Sequence, residues 1–287
     1  MKINTITIVP NLDKPDVARV VLELIDWFGK QNVKTIMPEE DAAGLGRPEL
    51  AADEFAIRQS GSLVCLGGDG TILRGVRLLK GAEVPIIGVN FGRVGFLSEV
   101  EYKDMYPAME RLIAGDFAID ARMMLKCAVK SGEFYREYLA LNEISLERGC
   151  IQRMLVMDVY INDILFSTYT SDGFIFATPT GSTAYSFSAG GPVVSPENEL
   201  ILLAPINPHS LFGRTLVLSA GDKVRVELNK EPNVTIGVDG FPVIKSMLIE
   251  SFTIERAESK ALLVKLKEKN FYTLFKEKLR VWDTWLR

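Results

Sequence analysis

Ser62-Leu63-Val64-Cys65-Leu66-Gly67-Gly68-Asp69-Gly70-Thr71-Ile72-Leu73 drives an apolar run into three glycines that surround one carboxylate. SLVCL has the length and composition of a short buried strand, and Ile72, Leu73, Val76 and Leu79 recur behind it at helical spacing. Strand, glycine turn and helix in that order form part of a parallel crossover unit. The glycines permit a tight turn and let backbone N–H groups approach a phosphate, and a helix start adds a favourable dipole. Thr71 is a natural N-cap. Asp69 runs against this, because carboxylate and phosphate repel. Two roles reconcile them: accepting the proton of an alcohol acceptor, or touching Mg²⁺. The loop matches neither GxxxxGK[ST] nor GxGxxG, and alone it reads equally well as a simple turn.

Outward from the loop the alternation continues. Residues 3–9 and 33–37 read as strands, with a helix between them carried by Val17, Val20, Val21, Leu24, Ile25 and Phe28. Residues 84–89 predict another buried strand and 102–114 a helix, while 38–60 suggest a loop with a short helix. This alternation predicts a parallel sheet covered by helices. Near residue 118 the pattern changes. Short strands are predicted at 122–130, 135–147, 155–161, 164–170, 173–178, 215–218, 223–228, 233–238 and 247–255, punctuated by turn signals such as Asn162-Asp163 and Asp239-Gly240. The fold class predicted is α/β followed by an antiparallel β domain, sandwich or barrel-like; the resemblance below selects the β-sandwich. Phe271, Phe275, Leu279, Trp282 and Leu286 then form an aromatic stripe on a basic helix, expected to dock on the first domain.

Composition narrows the function. Of 287 residues 47% are apolar and 24% charged, enough for a sizeable core, and a net charge of −4 does not favour nucleic acid or a membrane surface. Cys65, Cys127 and Cys150 form no CxxC pair, and a single histidine, His209, excludes a multi-His metal site. No apolar run reaches bilayer length and the N-terminus lacks a signal-peptide centre, so a cytoplasmic protein is expected.

Three further stretches stand out. GVNFGRVGFL (88–97) is a glycine-studded loop after a buried strand. Asn142-Glu143 puts an amide and an acid inside an apolar strand. Ser171-Asp172-Gly173 leads into ATPTGSTAYSFSAGGP (177–192), dense in hydroxyls. Hydroxyls, an exposed aromatic ring and a carboxylate suit a ligand with ribose hydroxyls, an amide and flat bases.

Taken together, GGDGT, the NxGxxGFL-type loop, the Asn-Glu pair and TPTGSTAYSxSAGGP resemble the NAD kinase family in order and approximate spacing, over nearly the whole chain. GGDG alone is shared with lipid kinases and sugar kinases; TPTGSTAY with Asn-Glu is far more specific. The resemblance implies a Rossmann-like α/β domain over 1–118 carrying the GGDG loop. It implies a β-sandwich NAD-binding domain over 119–258 and a segment, 259–287, packing back on the first. It implies transfer of the ATP γ-phosphate to the 2′-hydroxyl of the adenosine ribose of NAD, giving NADP, with Mg²⁺ or another divalent cation accompanying ATP. By resemblance Asp69 activates the hydroxyl, and Gly68, Gly70 and Thr71 place donor phosphates. Phe96 and Leu97 match positions near the adenine of NAD, and Asn142 and Glu143 match the pair that holds ribose hydroxyls. Asp172 matches an acid near the nicotinamide end, and Thr180, Thr183, Ala184, Tyr185 and Ser188 line the dinucleotide site. A homo-oligomer, dimer or tetramer, is expected by resemblance alone. The alternatives are a lipid or sugar kinase using the same loop, and a non-catalytic dinucleotide sensor.

Overall fold

The computed structural model describes residues 3–92, 95–149, 153–209, 213–228, 233–267 and 270–283. Arg93, Cys150 and Leu286, and the side chain of Trp282, lie outside the described residues. The chain divides into two compact units, residues 1–121 with 261–287, and residues 122–260.

In the first unit, five parallel strands lie in the spatial order Ala51–Ala52, Lys34–Pro38, Thr5–Pro10, Ser62–Gly67 and Ile86–Asn90. Leu263, near the end of the Ser251–Lys265 strand, pairs with Ile86, also in parallel. Ser62–Gly67 is buried throughout, as expected of a strand covered on both faces. The helix Val17–Lys30 buries Val17, Val20, Val21, Leu24, Ile25 and Phe28, the stripe its sequence predicts. The chain moves from Thr5–Pro10 to one side for two strands and then returns to its other side with Ser62–Gly67. The order therefore reverses between those two strands. In open α/β sheets that point opens a crevice beyond the carboxyl ends, where ligands bind. Here those ends are Pro10 and Gly67.

The second unit is antiparallel. One sheet runs Leu216–Ser219, Leu200–Ile206, Gly173–Ala177, Glu143–Arg148, Val234–Val238, Phe241–Met247. The other joins Ile164–Ser171, Leu155–Ile161 and Val224–Leu228 to the first residues of Ser251–Lys265, and contains the hairpin Ala118–Ser131 with Phe134–Ala140. Phe174, Phe176, Ile201, Leu203 and Ile236 of the first sheet pack with Leu125, Met157, Tyr169, Val226 and Phe252 of the second.

Three strands differ from expectation. The single strand predicted over 135–147 is two, Phe134–Ala140 and Glu143–Arg148, because Leu141 and Asn142 turn out of the ladder. Leu200–Ile206 is a strand that Pro205 conceals in the sequence. The neighbouring Leu216–Ser219 ladder ends at Leu203, so Pro205 has no partner to serve on that side. The strand predicted at 247–255 is in fact Phe241–Met247 and Ser251–Lys265. The C-terminal helix, Phe271–Asp283, sets Phe271 and Phe275 against Phe96, with ring centroids 6.5 and 6.4 Å apart. Leu279 of the same stripe stays exposed.

Candidate functional site

The glycine turn begins where Ser62–Gly67 ends. The helix Asp69–Leu79 starts three residues before the point expected, with Gly68 rather than Thr71 as N-cap. Thr71 occupies the third helical position, and its hydroxyl reaches back to accept from Gly68 N at 3.4 Å. Asp69 therefore sits in the first helical turn, where the dipole favours a negative charge.

Its carboxylate reaches across to the loop after the next strand. Oδ2 accepts from Phe96 N at 2.6 Å; Oδ1 accepts from Leu97 N and Ser98 N, both at 3.2 Å. A carboxylate oxygen offers about two acceptor positions. Oδ1 is thereby filled and Oδ2 keeps one position open. Gly95 makes this approach possible, because a Cβ there would fall within the Asp69 carboxylate. Phe96 and Leu97 thus meet Asp69 through their backbones. Leu97's side chain is buried, and Phe96's ring faces Phe271 and Phe275. Gly70 is exposed with open space around it.

A cation stands in the same place that the sequence reading passed over. Lys14 follows the Thr5–Pro10 strand, and its Nζ donates to Gly67 O at 2.9 Å, bridging the two strand ends at the reversal. It lies 3.6 Å from where a Cβ on Gly68 would sit. Lys14 forms no ion pair among the described residues, so its charge is directed at the turn. Asn90, only 5% exposed, donates to Gly92 O at 2.8 Å while its Oδ1 has no partner.

In the second unit, Asp239 organises the Asn142-Glu143 corner. Its carboxylate accepts from Leu141 N at 3.0 Å, Asn142 N at 2.6 Å and Glu143 N at 3.2 Å, and its own N–H donates to Glu143 O. Asp239 and Gly240 both have positive φ, 49° and 78°, as a two-residue hairpin turn requires. The turn signal legible in the sequence is real, and the same aspartate holds the corner where the expected strand breaks.

The hydroxyl-rich segment closes on that corner. Thr178 N donates to Asn142 O at 2.9 Å, and Thr178 Oγ1 donates to Leu141 O at 2.5 Å. Thr180, buried, accepts from Arg122 at 3.2 Å, and Thr183 Oγ1 donates to Thr180 O at 3.4 Å. Thr180–Thr183 and Tyr185–Ser188 are single turns joined at Ala184, leaving Tyr185 and Ser188 exposed. Glu143 is 5% exposed and its Oε2 has no partner. Burial first, and the Asp239 charge second, push its carboxyl up to about 8, against an opposing hydrogen bond from the Tyr185 backbone. A buried, orphaned, proton-bearing carboxyl is the form such a group takes at a ligand site.

Asp172 stands apart from this cluster. Gly173 pairs with Glu147 and Ala177 with Glu143, so Asp172 lies beyond the opposite end of the strand, about 17 Å away at 3.3 Å per residue. Arg148 approaches its carboxylate at 3.2 Å and Asn207 donates to it at 3.1 Å. His209 is exposed and contributes a backbone bond to Thr170 O. Cys65 and Cys127 are free and buried, and burial raises Cys65 to about 12. No helix among the described residues is long and apolar enough to cross a membrane.

Comparison with known proteins adds names to this geometry. Residues 6–117 match the ATP-NAD kinase N-terminal domain, and residues 141–266 the ATP-NAD kinase C-terminal domain. The chain is 40% identical over 276 residues to the NAD kinase of Moorella thermoacetica, covering 96% of this chain and 89% of that one. It is 38% identical to the NAD kinase of Heliobacterium modesticaldum, covering 96% and 98%. Among solved structures it resembles yeast NADH kinase complexed with NADH, with a TM-score of 0.86, 28% identity and coverage of 95% and 86%. It also resembles an NAD kinase from Archaeoglobus fulgidus in complex with ATP, with a TM-score of 0.75, 26% identity and coverage of 96% and 98%.

Proposed function

The chain belongs to the NAD kinase family, and on that premise we propose that Asp69 Oδ2 is the atom that activates the acceptor hydroxyl of NAD. The observation that carries this is the unequal loading of the two oxygens. Oδ1 is filled by two backbone N–H groups, whereas Oδ2 accepts one and has room for a second donor. The 2′-oxygen of the adenosine ribose attacks the γ-phosphorus of ATP. An O–P bond forms there as the bond to the β,γ-bridging oxygen breaks, and ADP leaves. The hydroxyl proton passes to Oδ2 and then to solvent.

Asn142 and Glu143 hold ribose hydroxyls in this reading. A protonated Glu143 donates as well as accepts, which suits a hydroxyl partner better than a phosphate. Thr180, Thr183, Ala184, Tyr185 and Ser188 line the dinucleotide, and Asp172 takes its far end; the strand length between Glu143 and Asp172 suits an extended ligand. Gly68, Gly70 and Thr71 bring the helix start to the donor phosphates.

A divalent cation belongs with ATP. Among the described residues no group of three His, Cys, Asp or Glu is placed to hold a metal ion, and in this reading the phosphates furnish much of its coordination. The orphaned Asn90 Oδ1 beside the glycine turn fits a water on such an ion. When bound, the ion offsets phosphate charge during transfer. A cytoplasmic location, expected from the sequence, and a homo-oligomer, expected on family resemblance alone, complete the reading, and light scattering tests the assembly.

The defining test incubates the protein with ATP, Mg²⁺ and NAD and detects NADP with an NADP-specific dehydrogenase. NADP well above a no-enzyme blank is expected. Binding of NAD without product would instead establish a dinucleotide sensor.

A further inference from the structure

The loop that grips Asp69 is itself held at its far end. Phe96, Leu97 and Ser98 spend their N–H groups on the Asp69 carboxylate, and the next N–H, that of Glu99, goes to Gly88 O at 3.1 Å. The Glu99 side chain is 2% exposed and takes no part in the proposed chemistry. Its Oε1 accepts from Leu266 N at 3.0 Å and from Lys267 N at 3.1 Å, 167 and 168 residues later in the chain. Lys265 Nζ stands 3.5 Å from Oε2. A carboxylate buried this deeply is costly unless paired and hydrogen-bonded, so these partners fix its place. Arg111, from the helix Met105–Ala114, donates to Leu266 O at 2.8 Å. Leu266 is therefore held through both its N–H and its carbonyl.

Lys267 leads into the helix Phe271–Asp283. Asn270 caps that helix, its Oδ1 accepting from Tyr272 N at 2.9 Å. Phe271 and Phe275 stack on each other, with centroids 6.1 Å apart at 14°, and both face the ring of Phe96. Lys278 Nζ lies 5.7 Å from the centroid of that same ring, within cation–π reach. Phe96 is thus met twice. Its ring meets the helix, and its N–H meets Asp69 Oδ2, the oxygen with room for a second donor. Glu99, three residues further along the loop, ties the same loop to the chain entering the helix.

We propose that Glu99 is a positioning residue for the phosphoryl transfer. It latches Leu266 and Lys267 to the loop, the helix behind them seats the Phe96 ring, and the Phe96 N–H in turn aims Asp69 Oδ2. The C-terminal segment thereby serves turnover as well as packing. This rests on the kinase reading above.

The test measures kcat and KM for NAD in the parent and in an Asp69→Asn background, together with amide hydrogen exchange at 96–98. Glu99→Ala is expected to lower kcat by about tenfold or more through misalignment, with KM for NAD within about twofold. Glu99→Gln keeps an oxygen for the two N–H groups and should return kcat to within about threefold of the parent. Phe275→Ala leaves the latch intact but loosens the Phe96 ring, and should lower kcat about fivefold. In the Asp69→Asn background either alanine change should cost less than about twofold, because the aim of a carboxylate already removed cannot be lost again. An equal loss in both backgrounds overturns the proposal, as does a parental kcat in Glu99→Ala. Should Glu99→Ala fail to fold, Phe275→Ala in the two backgrounds decides in the same way. Exchange at 96–98 should quicken about tenfold in Glu99→Ala while Glu143–Arg148 of the second unit is unmoved, and unchanged exchange at 96–98 also overturns the proposal. A parent that makes no NADP, in which Glu99→Ala still quickens exchange at 96–98, would leave the latch standing and remove the kinase reading instead.

Discussion

Asp69 in the first unit and Asp239 in the second use their carboxylates alike. Each takes three successive backbone N–H groups, Phe96 to Ser98 in one case and Leu141 to Glu143 in the other. What differs, in the proposed reading, is which partner meets the ligand. Asp69 is held by its loop and keeps part of Oδ2 open. Asp239 is 6% exposed and does the holding, while the residues it fixes are the ones proposed to meet the ribose. One device therefore serves two ends: to aim a carboxylate, or to aim what a carboxylate grips. Charge-assisted bonds from backbone suit both, because they are strong and come from groups that have little freedom.

Asp69→Asn breaks the first member most sharply. It keeps the size and one acceptor but can no longer take a proton. We expect kcat to fall by about 10²–10⁴-fold, with KM for NAD within a few fold. An unchanged kcat would remove the proton-accepting role. Gly95→Ala attacks the same contact from the loop side, since its Cβ displaces the carboxylate. A shift of about 1 Å is enough to lose roughly 10²-fold in rate. If kcat survives this change, the alignment of Asp69 by 96–98 does not matter to turnover.

Asp239 breaks differently. Asp239→Ala leaves three N–H groups short of an acceptor and puts alanine at a φ of 49°. We expect about 3 kcal/mol or more of lost stability in urea. Asp239→Asn tolerates that φ and keeps one acceptor, so it should fold. There we expect KM for NAD to rise about tenfold with kcat less affected, because the corner that holds the ribose loosens. A parental KM would reduce Asp239 to a turn residue.

These two aspartates also show what the sequence made legible. The parallel sheet was readable because its strands are continuous apolar runs, and GGDG marked the turn because glycine and acid together are unusual there. The role proposed for Asp69 was accessible for that reason. Its grip on 96–98 spans 27 to 29 residues and was not. Asp239 reads as one half of a hairpin signal, since its partners lie 96 to 98 residues earlier. Lys14 was invisible for a related cause. Its meaning depends on the strand reversal between Thr5–Pro10 and Ser62–Gly67, and spatial order is not written in local periodicity.

A pH-dependent effect separates the two devices electrostatically. Glu143 sits beside Asp239 and is buried, so its folded value is about 8 against an ordinary 4.5. Between those values the folded protein holds a proton that the unfolded chain releases. The contribution of Glu143 to stability is therefore complete below about pH 4.5, declines as pH rises, and is lost above about 8. Glu143→Gln stays neutral throughout and should remove that part of the slope. Urea unfolding without ligand checks this. Variant and parent should be close at pH 5, and the variant should be the more stable at pH 9. Parallel curves across that range would mean that Glu143 titrates as an ordinary carboxylate, and the proton it is proposed to offer a ribose hydroxyl would be absent at neutral pH.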